Sequence, residues 1–347
     1  MNDAVSSFQA FDGVPFTPVR RDATSDLAAR TAASEIRTGI ICNPKSHRNR
    51  SSVEATRPFV SGTVLAVTPR TQAELAEVLG DFARHGIELL VIDGGDGTIR
   101  DVLTAAATVW TGTQPRVAIV PSGKTNALAL DLGIPDDWTL DKALAAARVG
   151  HVVVRRPVEV EHRDSGSTRR GFLFGAGAFV EATGLAQRAH RAGAFKGFAV
   201  GVALSWAIVQ TLFGRSSGTW RVGNRMHVRY DASARARAGD LTDTDTNRYI
   251  LLASTLTRMP LGVQPFGPAR DGLKTLLVDA PPRWLAAAAP LIVAGSPAKW
   301  LDRAGYHRID PDSLDVTMDA GFILDGEVYP GGALTIRQAA PISFVVP

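Results

Sequence analysis

The residues between Gly94 and Thr98 are of types that could bind phosphate groups. The string GGDGT follows the apolar run IELLVI and precedes a helical pattern, so it is predicted to form a turn between a strand and a helix. Glycine lets the backbone approach a phosphate closely, and the first turn of a helix presents unpaired N–H groups at the positive end of its dipole. Asp96 adds a carboxylate that could bind Mg²⁺ beside the phosphates. A tight turn without a ligand is the alternative interpretation.

A second glycine turn lies between the strand-like VAIV and the helix-like ALALDLGIP. It contains a flexible glycine, a cation, a hydroxyl and an amide, contributed by Gly123, Lys124, Thr125 and Asn126. The string GKT resembles the end of a Walker A motif, but that motif needs a glycine five residues before Gly123, where Ala118 stands. We reject a Walker A site and keep Lys124 as a point charge that could reach a phosphate. A solvated loop lysine is the alternative.

A third loop, CNPKSHRNR, follows the first predicted strand. Asn43 leads it, and the basic residues Lys45, Arg48 and Arg50 follow. Because the carboxyl ends of parallel strands meet at one edge of a sheet, all three loops are expected at that edge. Three neighbouring loops suited to anions predict a nucleoside triphosphate as the ligand.

The segments that carry these loops alternate strands with helices. TGIIC, GTVLAV, IELLVI and RVAIV are apolar runs of strand length. Thr71 and Glu74 form a capping box at the start of a helix, and Gly86 occupies the position after its end. Apolar residues recur on one face of this helix, at Leu75, Val78, Leu79 and Phe82. The pattern predicts a parallel α/β domain over residues 35–150, preceded by a polar tail at residues 1–34.

The character of the sequence changes after about residue 150. Strand-like pieces such as HVVVRRPVEVEH, RYILLAS and KTLLVDAP are separated by turns, and most have no helix between them. This pattern predicts a second, largely antiparallel, β-rich domain over residues 151–320. The length of 347 residues also favours two domains over one core.

The composition of the chain indicates the cellular compartment of the protein and the charge of its binding partners. The single cysteine, Cys42, cannot form a disulfide within the chain and is expected to be a small buried hydrophobe. The first residues lack the basic head and apolar core of a signal peptide, so a cytoplasmic location is expected. A formal net charge of +4 suggests an anionic partner, such as a nucleotide, a nucleic acid or a membrane surface. No nucleic-acid-binding signature accompanies it.

Residues 194–213, AFKGFAVGVALSWAIVQTLF, are the nearest approach to a membrane span. Lys196, Ser205 and Gln210 interrupt the apolar run, so a buried or lipid-facing helix is favoured over a transmembrane one. Basic residues near the run could meet anionic headgroups.

These motifs resemble the catalytic family of diacylglycerol kinases, which includes bacterial lipid kinases, sphingosine kinases and ceramide kinases. The resemblance rests on Asn43-Pro44, on Gly94–Thr98, on the Pro121–Asn126 loop with LGIP after it, and on the late string ILDGE. PARDGLKTLLV resembles a further family segment, and the similarity spans residues 36 to 340. GGDGT alone is shared with NAD kinases and phosphofructokinases, whereas its combination with LDGE is more specific.

The resemblance implies an ATP- and Mg²⁺-dependent kinase with a nucleotide-binding α/β domain and a lipid-binding β-rich domain. Its active site would lie in the cleft between them, to which residues 321–347 return. Thr68 would contact the nucleotide. Glu327 would accept the proton of the lipid hydroxyl, with Asp325 supporting the base or the metal; a plain DG hairpin is the alternative for this segment. The ATP phosphates would be bound by the glycine turn, that is by Gly94, Gly95, Asp96, Gly97 and Thr98.

The resemblance further implies a metal site at Asp271 and the backbone of Leu273. It also implies peripheral association with the inner face of an anionic membrane; a homodimer stays open. Two departures add positive charge near the phosphates: KSHRNR where the family has a small residue and glycine, and Gly123-Lys124-Thr125-Asn126 where it has Gly-Thr-x-Asn. The leading hypothesis is a lipid kinase acting on diacylglycerol or a ceramide-type lipid. The alternatives are a soluble-metabolite kinase of the NAD-kinase type and a catalytically silent nucleotide- or lipid-binding protein.

Overall fold

A computed structural model describes residues 36–43, 64–123, 125–191, 223–231 and 244–347. Within these ranges no helix is both long and apolar enough to cross a membrane. Several predicted features lie outside the described residues: the tail at 1–34, the basic residues of the first loop, Lys124, and the apolar run at 194–213.

The chain divides into two compact units. The first contains the described residues up to Val154 together with Ile342–Pro347, and the second contains Arg155–Pro341. The first unit is built on a six-stranded sheet with the strand order β2-β1-β3-β4-β17-β5. Its strands are β1 (Thr38–Cys42), β2 (Val64–Val67), β3 (Leu89–Gly94), β4 (Arg116–Pro121), β5 (Val152–Arg155) and β17 (Ile342–Val345). The pairs β1–β2, β1–β3, β3–β4 and β4–β17 are parallel, which confirms the predicted α/β class.

The described residues of this unit form four helices: α1 (Gln72–Arg84), α2 (Asp96–Val109), α3 (Ala127–Leu132) and α4 (Leu140–Val149). The predicted capping box is present at the start of α1, where Thr71 Oγ1 accepts a hydrogen bond from the Glu74 amide at 3.1 Å. The Glu74 carboxylate turns back to accept from the Arg70 amide at 2.8 Å. Leu75, Leu79 and Phe82 are buried on the predicted face, so sequence periodicity identified the packed side of this helix correctly.

The second unit is built on an eleven-stranded sheet whose main order is β15-β14-β8-β10-β9-β13-β16-β6-β7, with β11 beside β10 and β12 beside β11. Its first strands are β6 (Val158–His162), β7 (Thr168–Gly171), β8 (Leu173–Gly177), β9 (Asn224–Tyr230), β10 (Thr244–Ser254) and β11 (Lys274–Asp279). Its later strands are β12 (Tyr306–Ile309), β13 (Ser313–Met318), β14 (Phe322–Leu324), β15 (Glu327–Tyr329) and β16 (Gly332–Gln338). The strand pairs within this sheet are antiparallel, as expected from strands joined without helices.

In the described part of this unit, three helices accompany the sheet: α5 (Ala178–Arg191), α6 (Leu285–Val293) and α7 (Trp300–Arg303). The core follows the alternation of the strands. Leu314, Val316 and Met318 of β13 are buried, and the residues between them are at least partly exposed. Successive side chains of a strand point to opposite faces, so one face of the sheet forms an apolar core.

Candidate functional site

The turn between β3 and α2 requires its first two glycines for steric reasons. Gly94 ends β3, and a Cβ added to it would lie 2.5 Å from Cβ of Thr98. Gly95 is the N-cap residue of α2 and provides no side-chain cap, so the first N–H groups of the helix are left for a ligand or solvent. The turn has the features of an anion site: a close backbone and an uncapped helix start.

Gly97, the third glycine of this string, differs from the first two. It lies in the first turn of α2, and a Cβ added to it would come no closer than 3.8 Å to the Arg100 guanidinium. This is ordinary van der Waals contact, so the packing of the described residues does not require a glycine at this position. The steric argument for glycine therefore holds for Gly94 and Gly95 and fails for Gly97. Binding of phosphate by the Gly97 N–H stays a prediction.

Asn43, directly after β1, is hydrogen-bonded to this turn. Its side-chain Nδ2 donates to Thr98 Oγ1 at 2.7 Å, and its amide donates to the Asp93 carbonyl at 2.9 Å. Both Asn43 and Thr98 are buried. Asn43 therefore holds the Thr98 hydroxyl and the β3 terminus in fixed positions.

The second glycine turn meets the first through backbone atoms. A Cβ added to Gly123 would lie 2.6 Å from Cα of Gly95, and a Cβ added to Gly95 would lie 2.9 Å from Cα of Gly123. Asn126, at a φ of 49°, closes the second turn: its Oδ1 accepts from the Gly123 amide at 3.0 Å and its Nδ2 donates to the Gly123 carbonyl at 3.1 Å. Any side chain at either glycine would separate the two turns.

Asp96 ties the same two turns together electrostatically. Its carboxylate accepts from the amides of Ala127 at 3.1 Å and Leu128 at 3.3 Å, and so caps α3, which has no cap from its own N-cap side chain. Burial raises the pKa of the Asp96 carboxyl, although these amides and the charge of Arg100 oppose the shift. Asp96 thus has a structural role at this site, and its binding of Mg²⁺ stays a prediction.

Two residues of this edge were missed by the sequence analysis. The Ser122 hydroxyl donates to the Asp93 carboxylate and joins the ends of β4 and β3. Asp93 is the next-to-last residue of β3 and Ser122 directly follows β4, so their position at the predicted edge was the available signal. Cys42 is the register partner of Asp93, and burial, with a smaller effect of the Asp93 charge, raises the pKa of its thiol to about 12. Cys42 is therefore a neutral, partly buried thiol at physiological pH.

The strand order gathers the predicted nucleotide residues at one sheet edge. Thr68 directly follows β2, Asn43 follows β1, Gly94 ends β3, and Gly123 follows β4 by two residues. Because β2, β1, β3 and β4 are parallel neighbours, these positions form one row along the carboxyl edge. Thr125 adjoins Asn126 in the second turn of this row, and Lys124 lies outside the described residues.

In the second unit, Glu327 lies directly after a tight hairpin turn. Asp325 and Gly326 connect β14 to β15 with φ angles of 46° and 83°, so the DG hairpin suggested by the sequence is present. Glu327 is the first residue of β15, is partly buried, and pairs with Leu324 across the hairpin. A hairpin and a catalytic carboxylate are compatible here, because the turn holds Glu327 at a defined position.

Asp325 fixes this hairpin to strand β8. Its Oδ1 accepts from the amide of Leu173 at 2.9 Å, both of its oxygens lie 3.0 Å from the amide of Phe172, and its own amide donates to the Leu173 carbonyl at 2.9 Å. Gly171 leaves room for this approach, since a Cβ there would lie 2.5 Å from Asp325 Oδ2. The geometry gives Asp325 a role in positioning Glu327 through the hairpin.

We expect Asp325→Ala to lower the free energy of unfolding by about 1–3 kcal/mol, because two backbone amides lose a charged acceptor. Urea unfolding followed by circular dichroism measures this loss. Asp319→Ala, at an exposed aspartate, serves as the matched control and is expected to stay close to the wild type. Equal stability of the two variants would contradict the role of the Asp325 carboxylate in holding the hairpin.

The loop before β11 is held by its own basic side chains. Lys274 Nζ, on a residue only 2% exposed, donates to the carbonyls of Arg270 at 2.9 Å and Gly272 at 3.2 Å. Arg270 Nη1 donates to the carbonyls of Phe266 at 2.9 Å and Pro268 at 3.0 Å. Two cations therefore bind four backbone carbonyls of this loop, and the Leu273 carbonyl is not one of them.

The binding of a divalent cation at Asp271 and the backbone of Leu273 stays a prediction. Asp271 is exposed and Leu273 is buried, and the ammonium of the adjacent Lys274 would repel a second positive charge. Among the described residues, no cluster of three or more His, Cys, Asp or Glu side chains could hold a metal.

The thermal unfolding midpoint of the nucleotide-free protein, measured in Mg²⁺ and in EDTA, tests the predicted metal site at Asp271. Lys274→Met should lower the stability by about 1–3 kcal/mol, because it leaves two carbonyls of the loop without their donor. The exposed Lys299→Met is the control, and scanning calorimetry is the measurement. A midpoint that rises with Mg²⁺ in the wild type, and no longer does so in Asp271→Asn, would support the metal site, and equal midpoints would contradict it.

The first unit is similar in sequence to proteins named as lipid kinases. Residues 37–158 match the diacylglycerol kinase catalytic domain family. Over 116 residues the chain is 40% identical to the probable lipid kinase YegS of Salmonella newport (strain SL254), a match that covers 33% of this chain and 38% of that protein. YegS of Salmonella agona (strain SL483) matches with the same figures. The chain thus spans less than half the length of the curated relatives that it matches.

The fold extends the similarity beyond that segment. The crystal structure of a diacylglycerol kinase from Bacillus anthracis str. Sterne superposes with a TM-score of 0.57 at 13% sequence identity, covering 90% of this chain and 97% of that one. At this identity the match shows a shared fold: a parallel α/β sheet followed by a large antiparallel sheet.

Proposed function

Residues 37–158 match the diacylglycerol kinase catalytic family, and on that premise we propose that this protein is a lipid kinase that transfers the γ-phosphoryl group of ATP to a lipid hydroxyl. The observation that carries the proposal is the contact between Gly95 and Gly123 beside the uncapped start of α2. It supports a cradle for phosphate groups made by two backbone turns. Peripheral binding to the inner face of a membrane is part of the proposal, because the acceptor is a membrane lipid.

The nucleotide is assigned to the carboxyl edge of the first sheet. Backbone N–H groups from Gly95 to Thr98 would bind the phosphates, and Lys124 would add a positive charge. Thr68 and Asn126 would contact the nucleotide from the two ends of the row. When bound, Mg²⁺ would neutralise phosphate charge, with Asp96 as its predicted ligand on the protein.

Phosphoryl transfer needs a base for the acceptor hydroxyl, and we assign this role to Glu327. The lipid oxygen forms a bond to the γ-phosphorus while the bond to the β,γ-bridging oxygen breaks, and ADP leaves. The hydroxyl proton passes to the Glu327 carboxylate, which also orients the oxygen. The hydrogen bonds by which Asp325 holds the hairpin support this role. A general base must be held within hydrogen-bonding reach of the proton that it accepts.

The acceptor is tested with labelled ATP, Mg²⁺ and mixed micelles that contain either diacylglycerol or ceramide. Label in one lipid alone identifies that lipid as the substrate. A third reaction offers NAD without lipid or detergent; labelled NADP would support the soluble-metabolite kinase. ATP binding without transfer to any of these acceptors would support a silent binding protein instead.

A further inference from the structure

Helix α6 exposes a face without any polar side chain. The sequence from Trp284 to Ala298 contains no charged residue, and α6 lies within it. Leu285, Ala288, Ala289 and Ile292 are buried against the second unit, as on an ordinary amphipathic helix. The opposite face is also apolar, and its exposed residues, the α6 surface, are Trp284, Ala286, Ala287, Pro290 and Ala294.

A surface helix normally carries polar residues on its solvent side. Trp284 is 75% exposed, although burial of a tryptophan removes a large apolar area from water. Its φ of 52° is uncommon for a bulky residue and holds it at the very start of the helix. These features indicate that this face of the helix contacts an apolar environment rather than water.

Basic residues flank the α6 surface at both ends. Arg283 precedes Trp284, and Lys299 and Arg303 follow the apolar stretch; all three are exposed. Asp302 is the single exposed acidic residue in this segment, so the flanks carry a net positive charge. Apolar residues between basic flanks, with a tryptophan at the boundary, match the polarity profile of an anionic membrane interface.

We infer that the α6 surface binds anionic lipid headgroups and the outer part of the acyl chains, lying in the plane of the membrane. The nine residues of α6 extend about 14 Å, far short of the roughly 30 Å of a hydrocarbon core, so the helix lies in the interface. The inference deepens the proposed function, which requires a bilayer as the source of substrate. Binding itself needs neither ATP nor turnover.

The test measures sedimentation of the full chain with vesicles of phosphatidylcholine containing phosphatidylglycerol, and with vesicles of phosphatidylcholine alone. We expect binding to the anionic vesicles, reduced at least tenfold in Ala287→Glu, which places a carboxylate on the exposed face. Val149→Glu introduces the same glutamate at an exposed helix position of the first unit. This variant should bind the vesicles as the wild type does. The double variant Arg283→Gln/Lys299→Gln should lose about thirtyfold, since each basic residue contributes to attraction by the surface.

Equal binding by the wild type, Ala287→Glu and Val149→Glu would overturn the inference. Absence of vesicle binding by the wild type, with a dimer that only Ala287→Glu dissociates in sedimentation velocity, would assign the surface to a second copy of the chain and also overturn it. Vesicle binding without any kinase activity would leave the inference standing while the proposed function fails.

Discussion

Glu327→Gln is expected to lower kcat for lipid phosphorylation by about 10² to 10⁴, the usual contribution of a general base. Glutamine keeps the size of the side chain and cannot accept the proton. Glu327 is only partly buried and follows a turn that Asp325 holds, so the hairpin should survive the change. The affinity for ATP should stay the same, because ATP binding is assigned to the first unit. Steady-state kinetics with the lipid that the micelle assay identifies measure kcat. Calorimetric titration with ATP measures the affinity.

The control for this variant is Glu181→Gln, the same change at an exposed glutamate in the first turn of α5. It should retain wild-type kcat. If Glu327→Gln keeps more than a tenth of the wild-type kcat, the base lies elsewhere. A large fall in both variants would point to a general effect on the second unit.

Gly123→Ala is expected to weaken ATP binding by at least a hundredfold. The added methyl would lie 2.6 Å from Cα of Gly95 and 2.7 Å from Oδ1 of Asn126, so the two turns would have to separate. Backbone atoms cannot rotate away as a flexible side chain can, and overpacking of this kind costs about 1–3 kcal/mol in stability. Separation of the turns would also lengthen the bonds from the α3 amides to Asp96. Titration with ATP and thermal unfolding measure the two effects.

Gly112→Ala is the matched control in the same unit, because a Cβ there meets no atom within 4 Å. It should bind ATP as the wild type does and have equal or slightly higher stability. Wild-type affinity in Gly123→Ala would mean that the contact between the turns has no part in the nucleotide site.

Local sequence signals predicted the features that depend on neighbouring residues. The capping box at Thr71, the apolar face of α1 and the DG turn before Glu327 each follow from a few adjacent positions. The alternation of strands and helices predicted the parallel sheet, and the row of phosphate-binding candidates followed from that class.

Local sequence signals could not predict the contacts that give each site residue its role, because these contacts join residues far apart in the chain. The bond from Leu128 to Asp96 spans 32 positions, and the bond from Leu173 to Asp325 spans 152. Both aspartates were predicted to act on a metal or a base, whereas the structure shows their carboxylates bonded to backbone amides. Only the tertiary arrangement determines which amides face a carboxylate. The same holds for Lys274, since its sequence neighbours do not reveal that its ammonium is buried against carbonyls.

The three glycines of the GGDGT string show the same limit. Their spacing suggested one shared reason for glycine, namely a backbone that a phosphate can approach. The structure separates them, because Gly94 and Gly95 face Thr98 and Gly123 at close range, whereas a side chain at Gly97 would meet only Arg100 at van der Waals distance. Packing against the neighbouring turn determines which glycine is required. The GGDGT motif alone does not show that packing.

The place of β17 has a consequence for how the protein is made. This strand, Ile342–Val345, lies between β4 and β5 in the sheet of the first unit, although the entire second unit precedes it in the chain. While the ribosome is still translating the second unit, β4 and β5 lack the strand that joins them and leave unpaired edges. The sheet of the first unit can therefore be completed only after the second unit has emerged. We expect the nascent chain to need protection from aggregation while the second unit is being translated.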